Sequence, residues 1–186
     1  MKRFLLSLLM LAFLSPLALR ADEIIVGTEE SSTQVVPFRS ANNYSYTQSI
    51  YLKDEVSQNG TAMTITKLAY KCASSNFTFT GDIKIYVGLT DMTAHTGAAS
   101  DWLSNLTLVF SGTNIVVGDE EWETFTFDTP YEYSATKNLV VAVSKSTSQP
   151  AQVTFCTEDT DAKLSIHNKG NRSEERRVGK ECEGMC

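Results

Sequence analysis

The chain has 186 residues, 42% of them hydrophobic, with 22 acids against 16 Lys and Arg and a formal net charge of −6 at pH 7. That length fits one domain with a real core. The acidic balance repels phosphate backbones, so no nucleic acid is expected as a partner.

The chain opens "MKRFLLSLLMLAFLSPLALRA". Lys2 and Arg3 precede an apolar run that ends in a small residue at Ala21, which is the grammar of a secretory signal peptide. Ser15 and Pro16 interrupt the run, and it is short for a span of about 20 residues. Cleavage is expected after Ala21, which predicts a secreted or cell-surface protein with no membrane span in the mature chain. Residues 22–43 read as a loose, polar leading segment.

From residue 44 to about 170 the signal is strand after strand. "TQSIYLK" is a short candidate. "LKDEVSQNG" offers one helical turn ended by Gly60. "MTITKLAYKC" changes phase, with Met63 and Ile65 on one parity and Leu68 and Tyr70 on the other, which predicts a bulge or corner near Thr66. In "DIKIYVG", Ile83, Ile85 and Val87 share a face. "GAASDWL" offers a second helical turn. In "NLTLVFSG", Leu106, Leu108 and Phe110 share a face. "ETFTFDTP" places Phe125 and Phe127 together and is expected to stop at Pro130. "NLVVAVSK" is apolar on both faces, as a central strand should be. "QVTFCT" is another short candidate, and the last strand is expected near "AKLSIHN" with an open edge. Many strands, turns at short spacing and no intervening helices predict an all-β, antiparallel β-sandwich, jelly-roll-like or immunoglobulin-like.

Catalytic chemistry is sparse. His95 lies in the polar stretch "DMTAHTGAASDW" and His167 near the end. Neither has a Cys, His or carboxylate at metal-ligand spacing. Nucleophile elbow, P-loop and HExxH patterns are missing. A non-enzymatic chain without cofactor or resident metal is expected. The clusters Asp119, Glu120, Glu121 and Glu158, Asp159, Asp161 carry hard oxygen ligands suited to calcium, but their spacing matches no EF-hand loop, and solvated loops are the expectation. Asn43, Asn59, Asn76 and Asn105 each begin an Asn-x-Ser/Thr triplet, a glycosylation signal only where the host has that machinery.

The candidate ligand-binding residues are aromatic: Trp102, Trp122, Tyr44 and Tyr46. An aromatic plane can receive the apolar face of a sugar ring. Core packing is the alternative and the expected role of the two tryptophans. Trp122 has the parity opposite to Phe125 and Phe127, which predicts an outward ring unless a bulge follows Glu121.

The run "YSYTQSIY…ITKLAYKC…GDIKIYVGLTDMT…DWLSNLTLVFSGT…EWETFTFDTPYEYSATKNLVVAVS" resembles a module of secreted and surface proteins of Bacteroidetes-type bacteria, found beside adhesin, gingipain-like peptidase or fibronectin-like domains. The resemblance rests on an aromatic-Gln-x-Ile-Tyr opening at Gln48, a Lys-Ile-Tyr-x-Gly strand, a Leu-Val-Phe-x-Gly strand, a Trp-x-x-x-x-Phe-Asp-Thr-Pro strand and Asn-Leu-Val-Val-Ala-Val. It covers residues 43–147. It implies a non-catalytic β-sandwich accessory module with an adhesive or structural role, whose partners are a glycan, a cell-surface protein or other domains of a larger parent. Two further readings are a carbohydrate-binding module and a non-catalytic fragment of a secreted peptidase or hydrolase.

The tail "RSEERRVGKEC" (172–182) resembles the translated reverse complement of a common short-read sequencing adapter over eleven consecutive residues. Residues 171–186 are therefore expected to be non-native, with the natural sequence continuing differently there, and Cys182 and Cys186 leave the cysteine arithmetic. Cys72 and Cys156 remain. An exported protein can keep a disulfide, but their strand parities point to unlike faces, so two separate thiols are expected.

Overall fold

The computed structural model describes residues 23–28, 31–33, 35–74, 78–118 and 121–170. The segment expected to be a signal peptide, the tail expected to be non-native, Asp119, Glu120 and Asn76 lie outside them. Nine strands follow in chain order: β1 Ser31–Thr33, β2 Tyr44–Tyr51, β3 Met63–Lys71, β4 Phe79–Thr90, β5 Thr107–Val117, β6 Trp122–Tyr133, β7 Asn138–Ser146, β8 Phe155–Thr157 and β9 Ser165–Gly170. The helical content is small: α1 Lys53–Val56 and two 3-10 turns, Gln58–Gly60 and Ala99–Asp101. Among the described residues no helix is long and apolar enough to cross a membrane.

The strands form an all-β, antiparallel sandwich. One layer is a five-stranded sheet in the order β5-β4-β7-β2-β9. The opposing elements are the pairs β3–β6 and β1–β8, joined where Cys72 bridges to Phe155. The pairs β2–β9, β4–β7 and the β3–β8 bridge are nested, one inside the next. Of the two topologies left open by the sequence, this nesting is of the rolled, jelly-roll kind.

Alternation sets the core. Ile83, Ile85 and Val87 from β4 and Val141 and Val143 from β7 meet Phe125 and Phe127 from β6 and Phe155 from β8. All are buried, and each such side chain contributes about 1.5–3 kcal/mol by leaving water. At one end of the core Lys145 is buried, with its ammonium 4.9 Å from the Phe79 ring centroid and donating to the carbonyls of Ser40 and Asn42. Burial lowers its pKa to about 8.

The second apolar face of β7 has a different cover. Val140, Ala142, Ile50 and Ile166 are buried but lie outside the main core cluster. They belong to the outer face of the five-stranded sheet, as the registers Ile50↔Val140, Gln48↔Ala142 and Gln48↔Ile166 show. The β4–β5 connection, residues 91–106, folds back over this face as a strap. Leu106 presses on β4 at Gly88, where an added Cβ would lie 2.5 Å from its Cδ2. "NLVVAVSK" is thus buried on both faces, with the sandwich core on one side and the strap on the other.

Four sequence expectations need correction. The leading segment is not loose: β1 pairs with β8, Phe38 is completely buried, and Ser40 Oγ exchanges hydrogen bonds with Val153 at 3.0 Å in each direction. Phe38, next to buried Pro37, supplies that anchor. The shared inward face of Leu106, Leu108 and Phe110 fails because β5 bulges. Ile85 pairs with Phe110 but Tyr86 with Leu108, so the intervening Val109 turns inward and Leu108 is exposed. β6 does not stop at Pro130. Its ladder with β3 is interrupted between Lys67↔Thr126 and Ile65↔Tyr131, and Pro130 sits in that gap, where its missing N–H costs no ladder bond. The phase change near Thr66 falls at the same irregularity, as the sequence indicated. Finally, His95 is buried within the strap rather than placed in an open polar loop.

Candidate functional site

Within the strap, short-range polar contacts fix the stretch ahead of Trp102. Asp101 closes it locally. Its carboxylate accepts from Gly97 N at 2.6 Å and from Thr96 Oγ1 at 3.0 Å. Burial works against that charge, but these hydrogen bonds and the neighbouring His95 outweigh it and hold the carboxyl below its ordinary range. Gly97 has φ +93°, a left-handed conformation that suits glycine.

Gln48 fastens the strap to the sheet. It is completely buried on β2, and its amide binds the strap backbone at both ends: Nε2 donates to Leu103 O at 2.7 Å, and Oε1 accepts from Leu103 N at 2.9 Å. The same Nε2 donates to the Tyr46 hydroxyl at 3.0 Å. A second tether joins His95 N to Lys163 O at 2.7 Å.

This clamp sets Trp102 on Tyr46. The two rings are stacked, with centroids 5.5 Å apart and planes 28° from parallel. Trp102 is half-buried and also walls an open cleft of about 200 Å³, together with Gly97, Ala98, Lys163, Ser165 and His167. The cleft lies between the strap and edge strand β9. Ser165 is held by its contact with Ser49, Oγ to Oγ 2.8 Å.

No protein-family model matches this chain, and no curated protein or solved structure matches it.

The structure separates the four aromatic candidates. Tyr46 and Trp102, distant in sequence, come together. Tyr44 lines a different, polar cleft with Asn43, Asp82, Asn114 and Ser146. Trp122 lies on the opposite layer, facing away from Phe125 as its parity indicated, half-buried beneath the Lys71 ammonium at 5.9 Å from its ring centroid. Packing and exposure turn out not to be exclusive for Trp102, which does both. Sequence reading missed Gln48, Lys163 and His167 as site residues. The only signal for Gln48 was its place in the aromatic-Gln-x-Ile-Tyr opening.

The acidic and cysteine candidates stand apart from this cleft. Glu158, Asp159 and Asp161 are exposed, Glu121 pairs with Lys71 at 3.0 Å, and among the described residues no three metal-ligating groups converge. Cys72 and Cys156 are both free thiols. Burial, reinforced by Glu123 and Cys156, pushes the Cys72 thiol up to about 11. Asn59 and Asn105 are exposed, and Asn43 is half-buried.

His95 carries a pH consequence. It is 4% exposed, and among the described residues neither ring nitrogen has a hydrogen-bond partner. Burial lowers its pKa below the usual imidazole value; Asp101 opposes that shift and Lys163 adds to it. The unfolded chain therefore takes up this proton first as pH falls. Stability is intact above about pH 6.5 and declines below it. Exposed His167, also lowered, contributes in the same direction. In urea melts between pH 7.5 and 5, His95→Leu should lose part of this decline. It should be no less stable than wild type at pH 7.5, because an unsatisfied buried polar group costs about 1–3 kcal/mol. Parallel declines in both proteins would show that His95 is not the titrating group.

Proposed function

We propose that this chain is a secreted, non-enzymatic accessory module of adhesive type, which attaches by receiving a sugar ring in the Trp102 cleft. The observation that carries the reading is the Tyr46–Trp102 stack at the wall of that cleft. Sugar recognition needs an aromatic plane held rigidly beside a few polar groups. Here Tyr46 backs the indole, the Gln48 clamp fixes the strap that bears it, and Lys163, Ser165 and His167 line the cleft beside it. At about 200 Å³ the cleft is smaller than the roughly 300–1,000 Å³ of enclosed small-molecule pockets, which suits one ring of a longer glycan. The resemblance to accessory modules of exported Bacteroidetes-type proteins supports the same reading, with other domains of a parent protein as further partners.

A glycan array probed with the full chain tests this. Wild type should bind a defined subset of glycans. Trp102→Ala should lose about two- to tenfold in affinity, since stacking of this kind is worth about 0.5–1.5 kcal/mol. Trp122→Ala should bind as wild type, with circular dichroism unchanged in both variants. Absence of wild-type binding, or loss on Trp122→Ala alone, would contradict the proposal.

A further inference from the structure

The charge around the cleft narrows the ligand class. Lys163 is exposed, and among the described residues its ammonium makes no ion pair or hydrogen bond. It lies against the strap, 3.1 Å from where a Cβ on Gly97 would sit. Its ammonium therefore lies at the cleft wall. His167 lines the same cleft. Burial depresses the His167 imidazole, and Lys169, Arg39 and Lys163 depress it further. Among the described residues the Arg39 Nε is buried without an acceptor. Lys163 and His167 line the cleft, and Lys169 and Arg39 lie within electrostatic range of His167, in a chain whose net charge is −6. No carboxylate lines the cleft. Asp101, next to Trp102 in the chain, is already engaged by Gly97 N and Thr96 Oγ1.

We infer that the cleft selects a carboxylate-bearing sugar ring, with the apolar ring face on Trp102 and the carboxylate at Lys163. The inference rests on the glycan-binding reading above and specifies its ligand. The chemistry is shared by uronic acids and by nonulosonic acids such as sialic acid. A neutral sugar would leave the ammonium without a partner, whereas a carboxylate forms a charge-assisted hydrogen bond there. The site is open to solvent, so the preference should shrink as ionic strength rises.

Calorimetric titration of the full chain with two matched pairs tests this: a hexuronate trisaccharide against its carboxyl-reduced neutral form, and sialyllactose against lactose. In at least one pair the acidic member should bind about tenfold more tightly at low salt, the scale of one charge-assisted hydrogen bond. Lys163→Gln should bring that ratio close to one, and Trp122→Ala should leave it intact. Equal affinities within both pairs would overturn the inference while leaving the glycan-binding reading standing. An acid preference that survives Lys163→Gln would overturn the assignment of the carboxylate to Lys163. Wild type binding none of these sugars, nor any other glycan, would overturn both readings.

Discussion

Phe38→Ala should destabilise the fold by about 3–5 kcal/mol, the range for removing a buried aromatic from a packed core. Phe38 is completely buried, with its ring centroid 5.5 Å from that of Phe79 and 5.1 Å from that of Phe155. These partners come from β4 and β8, one in each layer, so the ring ties the leading segment to both halves of the sandwich. Small rearrangements cannot refill that space, because Phe79 is itself held under Lys145. Domains of this size are stable by only about 5–15 kcal/mol, so the loss is a large share of the total. Val26 in the same segment is 38% exposed, and Val26→Ala should change stability by less than about 0.5 kcal/mol. Urea denaturation of the two variants decides the matter. A loss below about 1 kcal/mol for Phe38→Ala would mean that the leading segment is not part of the core.

Gln48→Ala should cost about 2–4 kcal/mol and release the strap. The substitution leaves both the N–H and the C=O of Leu103 without their partner in a part-buried setting, and each such orphan costs about 1–3 kcal/mol. It also removes the donor to the Tyr46 hydroxyl, and with it the bond that fixes the ring under Trp102. Gln48→Glu should fail as well, because a carboxylate accepts from Leu103 N but cannot donate to Leu103 O, and it places a charge in a buried position. Hydrogen exchange separates strap release from global unfolding. In Gln48→Ala the Leu103 amide should exchange far faster, while β7 amides shift only by the loss in global stability. Unchanged protection at Leu103 would show that Gln48 does not hold the strap.

Much of the sandwich was readable from alternation. Ile83, Ile85, Val87, Phe125 and Phe127 point inward as their spacing requires, and the phase change at Thr66 marks a real irregularity. Parity failed where a strand carries an extra residue. The bulge at Val109 exchanges the faces of the residues beside it, and no local property of "NLTLVFSG" signals the slip. Pro130 was misread for a related reason, since the ladder is already broken around it.

The site was less legible because its contacts span long stretches of chain. "NLVVAV" announced burial on both faces but not what covers the second one. The cover is a connection whose apolar residues, Met92, Trp102, Leu103 and Leu106, follow no strand or helix period. Burial of His95 follows from that cover and not from its own neighbours in sequence. Tyr46 and Trp102 were each visible as candidates, but only the fold stacks them. His167 carried no signal beyond its place near the end and Lys163 none at all, until β9 pairs with β2 and brings this part of the chain beside the strap.

The account turns on which indole meets the ligand. With the ¹⁵N-labelled full chain titrated with the tightest-binding glycan, the Trp102 indole N–H resonance should shift progressively to saturation while that of Trp122 stays in place. Movement of the Trp122 resonance alone, or a Trp102 resonance unchanged at saturating glycan, would contradict the assignment of the cleft as the binding site.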